Sequence, residues 1–219
     1  LTGLPNRRLF YDRLGQEIKN SHRSGLPTVL MLLDLDRFKE VNDILGHNHG
    51  DKILVEVAQR ITKCLRETDT IARLGGDEFT IILSQVKDIK IIENIANNII
   101  NSLIPKFYID KETSFLTASI GITMYPNDAD NADKLMINAD QAMYLAKASK
   151  INRIAFFTKS LQNKIQTRMN IIADLRKAVP NNQLILNYQP IVEIATGKIY
   201  KAEALLRWQH PDGRLMNPN

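Results

Sequence analysis

The sequence predicts an α+β fold, a mixed β-sheet flanked by helices, followed by a connecting helix and a short strand-rich tail. Three observations point to it. Residues 28–35 are a continuous apolar run of strand length, as expected of a central strand buried on both faces. Residues 70–74 and 79–83 are two further strand-like runs, and the four residues between them, Gly75-Gly76-Asp77-Glu78, have the composition of a tight hairpin. Segments of helical period alternate with these runs, in the order α-β-α-α-β-β-α-β-α-β. The hairpin in the middle makes the sheet mixed and argues against a doubly wound Rossmann arrangement.

In chain order, Pro5-Asn6 precedes an amphipathic helix to about residue 21, with Leu9, Phe10, Leu14 and Ile18 on one face. Ser24-Gly25-Leu26-Pro27 ends it. After the strand at 28–35, Phe38, Val41 and Leu45 mark a short helix closed by Gly46. His47-Asn48-His49 has no Cys or further His at zinc spacing and is assigned to a loop. A helix over 51–66 carries Ile53, Leu54, Val57, Ala58, Ile61 and Leu65 at helical spacing. Beyond the hairpin come a helix at 89–103, a strand at 115–124, a turn at 125–128, a helix at 132–148 and a strand at 153–157. Residues 160–179 form the connecting helix. The tail has strands at 184–194 and 198–208 around Ala195-Thr196-Gly197, and is too short to bury a core of its own.

The composition, 44% hydrophobic and 24% charged, is that of a globular chain and excludes a disordered or fibrous one. No apolar run approaches the roughly 20 residues of a membrane span. The single cysteine, Cys64, forbids an intrachain disulfide and falls near an apolar helix face, as a small core residue would. The net charge of +5 comes from Lys and Arg scattered along the chain rather than gathered in the patch a nucleic acid polymer would suggest, and a need to bind polyphosphate fits it equally well; no nucleic acid polymer is expected as a partner. The opening LTGLPNRR reads as the approach to a helix, so the chain is expected to be part of a longer protein, cytoplasmic here, with any membrane tether in a preceding segment.

The chemistry concentrates at two acidic points. Asp34 and Asp36 end the buried strand, where ligands of α/β sheets commonly sit. Asp77 and Glu78 stand at the hairpin tip. Taken singly, Asp34 and Asp36 are helix caps and the tip is a solvated turn. If the hairpin neighbours the strand, the carboxylates cluster and repel unless a cation lies among them. An all-oxygen set selects a hard ion such as Mg²⁺.

The segment Arg73-Leu74-Gly75-Gly76-Asp77-Glu78-Phe79 resembles the signature of GGDEF domains, the diguanylate cyclases. LTGLPNRR, LDLDRFKEVND at 33–43, GHNHGD at 46–51, SIGIT at 119–123 and NADQAMYLAK at 138–147 resemble further motifs of that family, in its order, so the likeness covers residues 1–158. It implies a palm-like, nucleotide-cyclase-type sheet. It also implies Mg²⁺- (or Mn²⁺-) dependent condensation of two GTP into cyclic di-GMP and two pyrophosphates by a homodimer. By the same resemblance Asp34, the Leu35 carbonyl and Asp77 are metal ligands. Asp77 and Glu78 are catalytic, Glu78 acting at the metal or the attacking 3′-hydroxyl. Phe38 and Lys39 meet the phosphates through backbone N–H groups, as a helix N-terminus can. Asn42 and Asp51 bind guanine, and Lys147 binds the terminal phosphate. Arg66 and Asp69 are similar to the family's product-inhibition site.

The likeness departs at Ile151, where the family carries a second phosphate-binding arginine. Lys150 or Arg153 could stand in. Without a substitute, one lost charge-assisted contact costs roughly 1.5–3 kcal/mol, which slows the enzyme without removing its metal chemistry. The alternative expectation is therefore a weakly active or inactive GTP-binding domain that regulates an attached phosphodiesterase. Residues 159–180 are the linker helix. Residues 181–219 resemble the opening of an EAL domain, the cyclic di-GMP phosphodiesterase barrel, through Tyr188-Gln189-Pro190-Ile191 and Glu203-Ala204-Leu205-Leu206-Arg207-Trp208. There Glu203 is implied as a metal ligand, with Gln189 and Arg207 near the dinucleotide. Only the first strands of that TIM-type barrel are expected in this segment.

Overall fold

The computed structural model describes residues 1–86, 88–109, 112–149 and 153–217, with backbone alone at 164 and 165. It forms two compact units, Leu1–Gln162 and Asn163–Asn219.

In the first unit, α1 (Arg7–Ser24) starts where the Asn6 side chain accepts the Leu9 N–H and stops at Gly25 in the left-handed region. Then follow β1 (Thr28–Asp36), α2 (Phe38–Leu45), α3 (His47–Thr62), β2 (Thr70–Gly75), β3 (Glu78–Leu83) and α4 (Ile89–Leu103). A small hairpin, β4 (Phe107–Ile109) with β5 (Glu112–Ser114), precedes β6 (Thr117–Tyr125), α5 (Ala132–Ala148) and β7 (Ile154–Phe156). The main sheet has the order β2-β3-β1-β6-β7. Only β6 and β7 run parallel, so the sheet is mixed, as the central hairpin requires.

β1 lies at the centre, and its alternation divides the core. Val29, Met31, Leu33 and Leu35 join Ile53, Val57 and Ile61 of α3 and Ile92 and Ile99 of α4. Leu30 and Leu32 join Phe10 and Leu14 of α1 and Leu135, Ala139 and Met143 of α5. Odd positions of β1 thus face α3 and α4, and even positions face α1 and α5.

Three local expectations are corrected. The helix expected from 51 begins at His47, so His47-Asn48-His49 is its first turn and not a loop. His49 is buried and its Nε2 lies 3.3 Å from Ser114 Oγ of β5, which is what holds that turn. The same helix ends at Thr62 rather than 66. The strand expected from 115 begins at Thr117, and Phe115 is exposed. The β4–β5 hairpin was not foreseen.

α6 (Lys159–Ala178) runs into the second unit, where β8 (Leu184–Val192), β9 (Ile199–Gln209) and β10 (Leu215–Met216) form a three-stranded sheet. β8 and β9 pair antiparallel around the foreseen turn, and β10 is additional. Trp208 is buried and donates its indole N–H to Gln183 Oε1 at 3.2 Å. Among the described residues, no helix is long and apolar enough to cross a membrane.

Candidate active site

The parity of β1 explains where the site lies. Asp34 and Asp36 are even positions, so they face α5. On β3, Phe79, Ile81 and Leu83 point to the α3–α4 side, which leaves Glu78 on the α5 side. On β6, Ala118, Ile120 and Ile122 do the same, which leaves Thr117, Ser119 and Gly121 on the α5 side. Register then aligns Asp34 with Glu78 on one flank and with Ser119 on the other. Gly121 lets α5 press onto this surface: a Cβ there would stand 2.0 Å from the Ala139 carbonyl oxygen.

Asp34 is buried, 8% exposed, and its carboxyl is held above the ordinary carboxylate range. Burial is the main cause, and the negative charges of Asp77 and Glu78 add to it. Lys147, in the last turn of α5, opposes the shift, with Nζ 2.6 Å from Asp34 Oδ1.

The hairpin tip needs its glycines. Gly75 and Gly76 have φ of 157° and 50°. Arg73 closes the turn by donating from Nε and Nη2 to the Gly76 carbonyl at 2.9 and 2.7 Å. The Leu35 N–H donates to the Asp77 carbonyl at 3.4 Å, which ties the tip to the end of β1.

α2 begins at Arg37, held at φ 59°, and no side chain caps its first turn, where Phe38 and Lys39 lie. Uncapped N–H groups at a helix N-terminus suit phosphate oxygens. Phe38 is buried in the core, while Lys39 is exposed. Asn42 packs against Gly50, where an added Cβ would lie 1.9 Å from Asn42 Oδ1. That oxygen is buried without a hydrogen-bond partner. Asp51, the next residue, is exposed beside it. The two predicted base-binding residues are thus brought together by a glycine.

The cationic side is an open cleft of about 650 Å³ lined by Asp36, Arg37, Thr117, Ser119, Lys147, Ser149 and Arg153. Asp36 accepts hydrogen bonds from Thr117 Oγ1 at 2.8 Å and Ser119 Oγ at 2.9 Å, and pairs with the Arg153 guanidinium. Arg153 also donates to Thr117 Oγ1 at 2.7 Å. Asp36 is therefore an anchor for an arginine. Arg73, Thr117 and Ser119 were not singled out from sequence. The polar–apolar alternation over 117–123 was the available signal for the last two. Lys150 and Ile151 lie outside the described residues.

Arg66 and Asp69 form a turn in which the Arg66 N–H donates to Asp69 Oδ2 at 3.0 Å. Both line a separate pocket of about 240 Å³ with Ser84, Gln85, Val86 and Ile91. In the second unit, Gln189 and Glu203 are direct partners across β8 and β9, and Arg207 follows four residues after Glu203 on the same face.

Among the described residues, no three His, Cys, Asp or Glu side chains are gathered as a metal-binding group. The donor chemistry nevertheless suits a hard divalent cation. Asp34, Asp77 and Glu78 supply only oxygen, and the mutual repulsion felt at Asp34 is what such an ion would relieve.

Comparison with known proteins agrees with this geometry. The family model described as diguanylate cyclase, GGDEF domain, matches residues 1–153, and the EAL domain model matches residues 172–219. The chain is 42% identical over 218 residues to the bifunctional diguanylate cyclase/cyclic di-GMP phosphodiesterase MucR of Pseudomonas aeruginosa, covering 100% of this chain and 32% of MucR. It is 36% identical over 219 residues to the cyclic di-GMP phosphodiesterase NbdA of the same organism, covering 100% of this chain and 28% of NbdA. The chain thus spans about a third of the length of these relatives. Among solved structures, the GGDEF domain of YfiN (TpbB) from Pseudomonas aeruginosa superposes with a TM-score of 0.70 at 40% identity, over 72% of this chain and 99% of that one. The sheet, the acidic tip opposite Asp34 and the matched residues together place this chain in the GGDEF, or diguanylate cyclase, domain family, with an EAL-type segment following.

Proposed function

We propose that the first unit condenses two molecules of GTP into cyclic di-GMP within a cyclic di-GMP signalling protein. The observation that supports it best is that Asp34, whose carboxyl feels the charges of Asp77 and Glu78, adjoins through Lys147 a cleft that also bears Arg37 and Arg153. Carboxylates able to hold a cation beside side chains able to hold phosphate oxygens suit a triphosphate.

Asn42 and Asp51 bind the guanine, whose N1–H and amino group are donors that a carboxylate and an amide oxygen accept. The first turn of α2 at Phe38 and Lys39, with Lys147, holds the β- and γ-phosphates. Bound at Asp34, Asp77 and the Leu35 carbonyl, Mg²⁺ or Mn²⁺ supplies charge neutralisation at the phosphates. Glu78 draws the proton from the attacking 3′-hydroxyl. That oxygen forms a bond to the α-phosphorus of the GTP held by a facing domain, and the bond from this phosphorus to the bridging oxygen breaks. Pyrophosphate leaves, and repetition from the other side closes the ring. Two domains are required, so the working species is a homodimer. Arg66 and Asp69 bind cyclic di-GMP at their own pocket and slow the reaction.

The test is incubation of the protein with GTP and Mg²⁺, followed by chromatography for cyclic di-GMP. Intact GTP binding with no product would overturn the cyclase reading. One observation favours a second reading, a GTP-binding domain that regulates an EAL phosphodiesterase: Ile151 stands where the family carries arginine. In that case GTP accelerates cyclic di-GMP hydrolysis by a protein carrying both domains, and no cyclic di-GMP is made.

A further inference from the structure

Lys147 stands between two sites. Its Nζ lies 2.6 Å from Asp34 Oδ1, and the same side chain lines the cationic cleft with Arg37 and Arg153. Asp34 is buried and faces the negative charges of Asp77 and Glu78. The lysine ammonium is therefore the counter-ion that the fold sets against this carboxylate. A divalent cation on Asp34 and an ammonium 2.6 Å from one of its oxygens repel each other, so each weakens the hold of the other on this carboxylate. Lysine carries its charge on a flexible four-carbon stem, and this side chain is 38% exposed at the end of α5. It is free to turn from Asp34 into the cleft.

We infer that Lys147 acts as a resident counter-ion of Asp34 that is handed over to the nucleotide phosphates when the divalent cation binds, so that cation and nucleotide bind cooperatively. The inference rests on the reading of Asp34 as a metal ligand. Phosphate in the cleft draws Lys147 off the carboxylate and opens it to the cation. The cation in turn releases Lys147 to the phosphate, and the coupling is the same in both directions. Without nucleotide, the lysine keeps the acidic end of β1 from loading metal.

The experiment is titration of the protein with Mn²⁺, read by the electron paramagnetic resonance of free Mn²⁺. It is run with and without a non-hydrolysable α,β-methylene analogue of GTP, on the wild type, Lys147→Met and Lys147→Arg. Circular dichroism checks that each variant is folded. Wild type binds Mn²⁺ more tightly with the analogue than without it. Lys147→Met, which removes the charge at similar volume, tightens nucleotide-free Mn²⁺ binding by about tenfold and weakens analogue binding by a similar factor, the scale of one charge-assisted contact. Lys147→Arg, which keeps the charge, leaves nucleotide-free Mn²⁺ binding near wild type. Opposite effects on the two ligands are the signature, because a merely structural role would weaken both. If Lys147→Met leaves nucleotide-free Mn²⁺ affinity unchanged or lowers it, the handover is overturned while the metal site stands. If Mn²⁺ fails to bind even with the analogue present, the metal site and the handover fall together.

Discussion

Arg73 places two donors on the Gly76 carbonyl, across a turn whose two glycines both sit at positive φ. Glycine lowers the strain of that turn but leaves it loose in the unfolded and folded states alike. The guanidinium closes the turn that presents Asp77 and Glu78, while the Leu35 N–H ties the tip to the end of β1. Arg73→Ala is expected to lower cyclic di-GMP synthesis about tenfold, in line with the loss of one charge-assisted contact, and to speed hydrogen exchange at 75–78 while the thermal midpoint barely moves. Asp128, after β6, offers a pH test away from the site. Burial raises its carboxyl above the ordinary value, although the Met124 N–H at 2.7 Å and the Thr123 hydroxyl at 3.4 Å pull the other way. An ionised Asp128 is thus disfavoured by folding, a cost present at neutral pH and lost as pH falls through the raised folded value to the unfolded value near ~3.9. Asp128→Asn keeps an acceptor for Met124 and should raise the melting temperature at pH 7, with the gap closing towards pH 4. Asp34, Asp77 and Glu78 were legible in the sequence because they end a strand and cap a hairpin. The partners of Asp36 were not, since nothing local in 33–43 marks Thr117, Ser119 or Arg153 as its ligands.

Among elements, α5 meets β6 backbone to backbone at Gly121. A Cβ at Gly121 would meet the Ala139 carbonyl oxygen at 2.0 Å and the Met143 nitrogen at 2.3 Å, both backbone atoms that cannot swing aside. Gly121→Ala should therefore lift the helix, lowering stability in denaturant titration by roughly 1–3 kcal/mol, and should weaken nucleotide binding because Lys147 rides on the same helix. Long elements were readable from period alone: β1 by its apolar run, α4 and α5 by their stripes, the β2–β3 pair by its turn. Among short strands β7 was read, at 153–157, and the β4–β5 hairpin was not. β4 and β5 have three residues each, too few to show an alternation. The start of α3 was missed because its first turn has no apolar residue; a buried histidine bonded to Ser114 and a glycine packed on Asn42 hold it instead.

At the scale of the molecule, the first unit carries its own core on both faces of the sheet, and Phe79, wholly buried, lies in it. Phe79→Ala should cost roughly 3–5 kcal/mol by denaturant titration, enough to take most of the stability of a domain this size. The mixed sheet was legible from the central hairpin, and the central place of β1 from its unbroken apolar run; which strands flank it was not, because neighbours depend on contacts remote in sequence. That place has a consequence for how the chain can vary in length. β1 fixes its register with β3 and with β6 at once, so Asp34 sets the frame for Glu78 and Ser119 together. Inserting or deleting one residue within any of these three strands turns every following side chain to the opposite face, and sends a carboxylate or a hydroxyl of the site into the apolar layer beneath α3 and α4. Segments between the strands carry no such constraint. Viable length changes should therefore collect between α4 and β6, around the β4–β5 hairpin, while β1, β3 and β6 keep their residue count as strictly as a codon keeps its three letters.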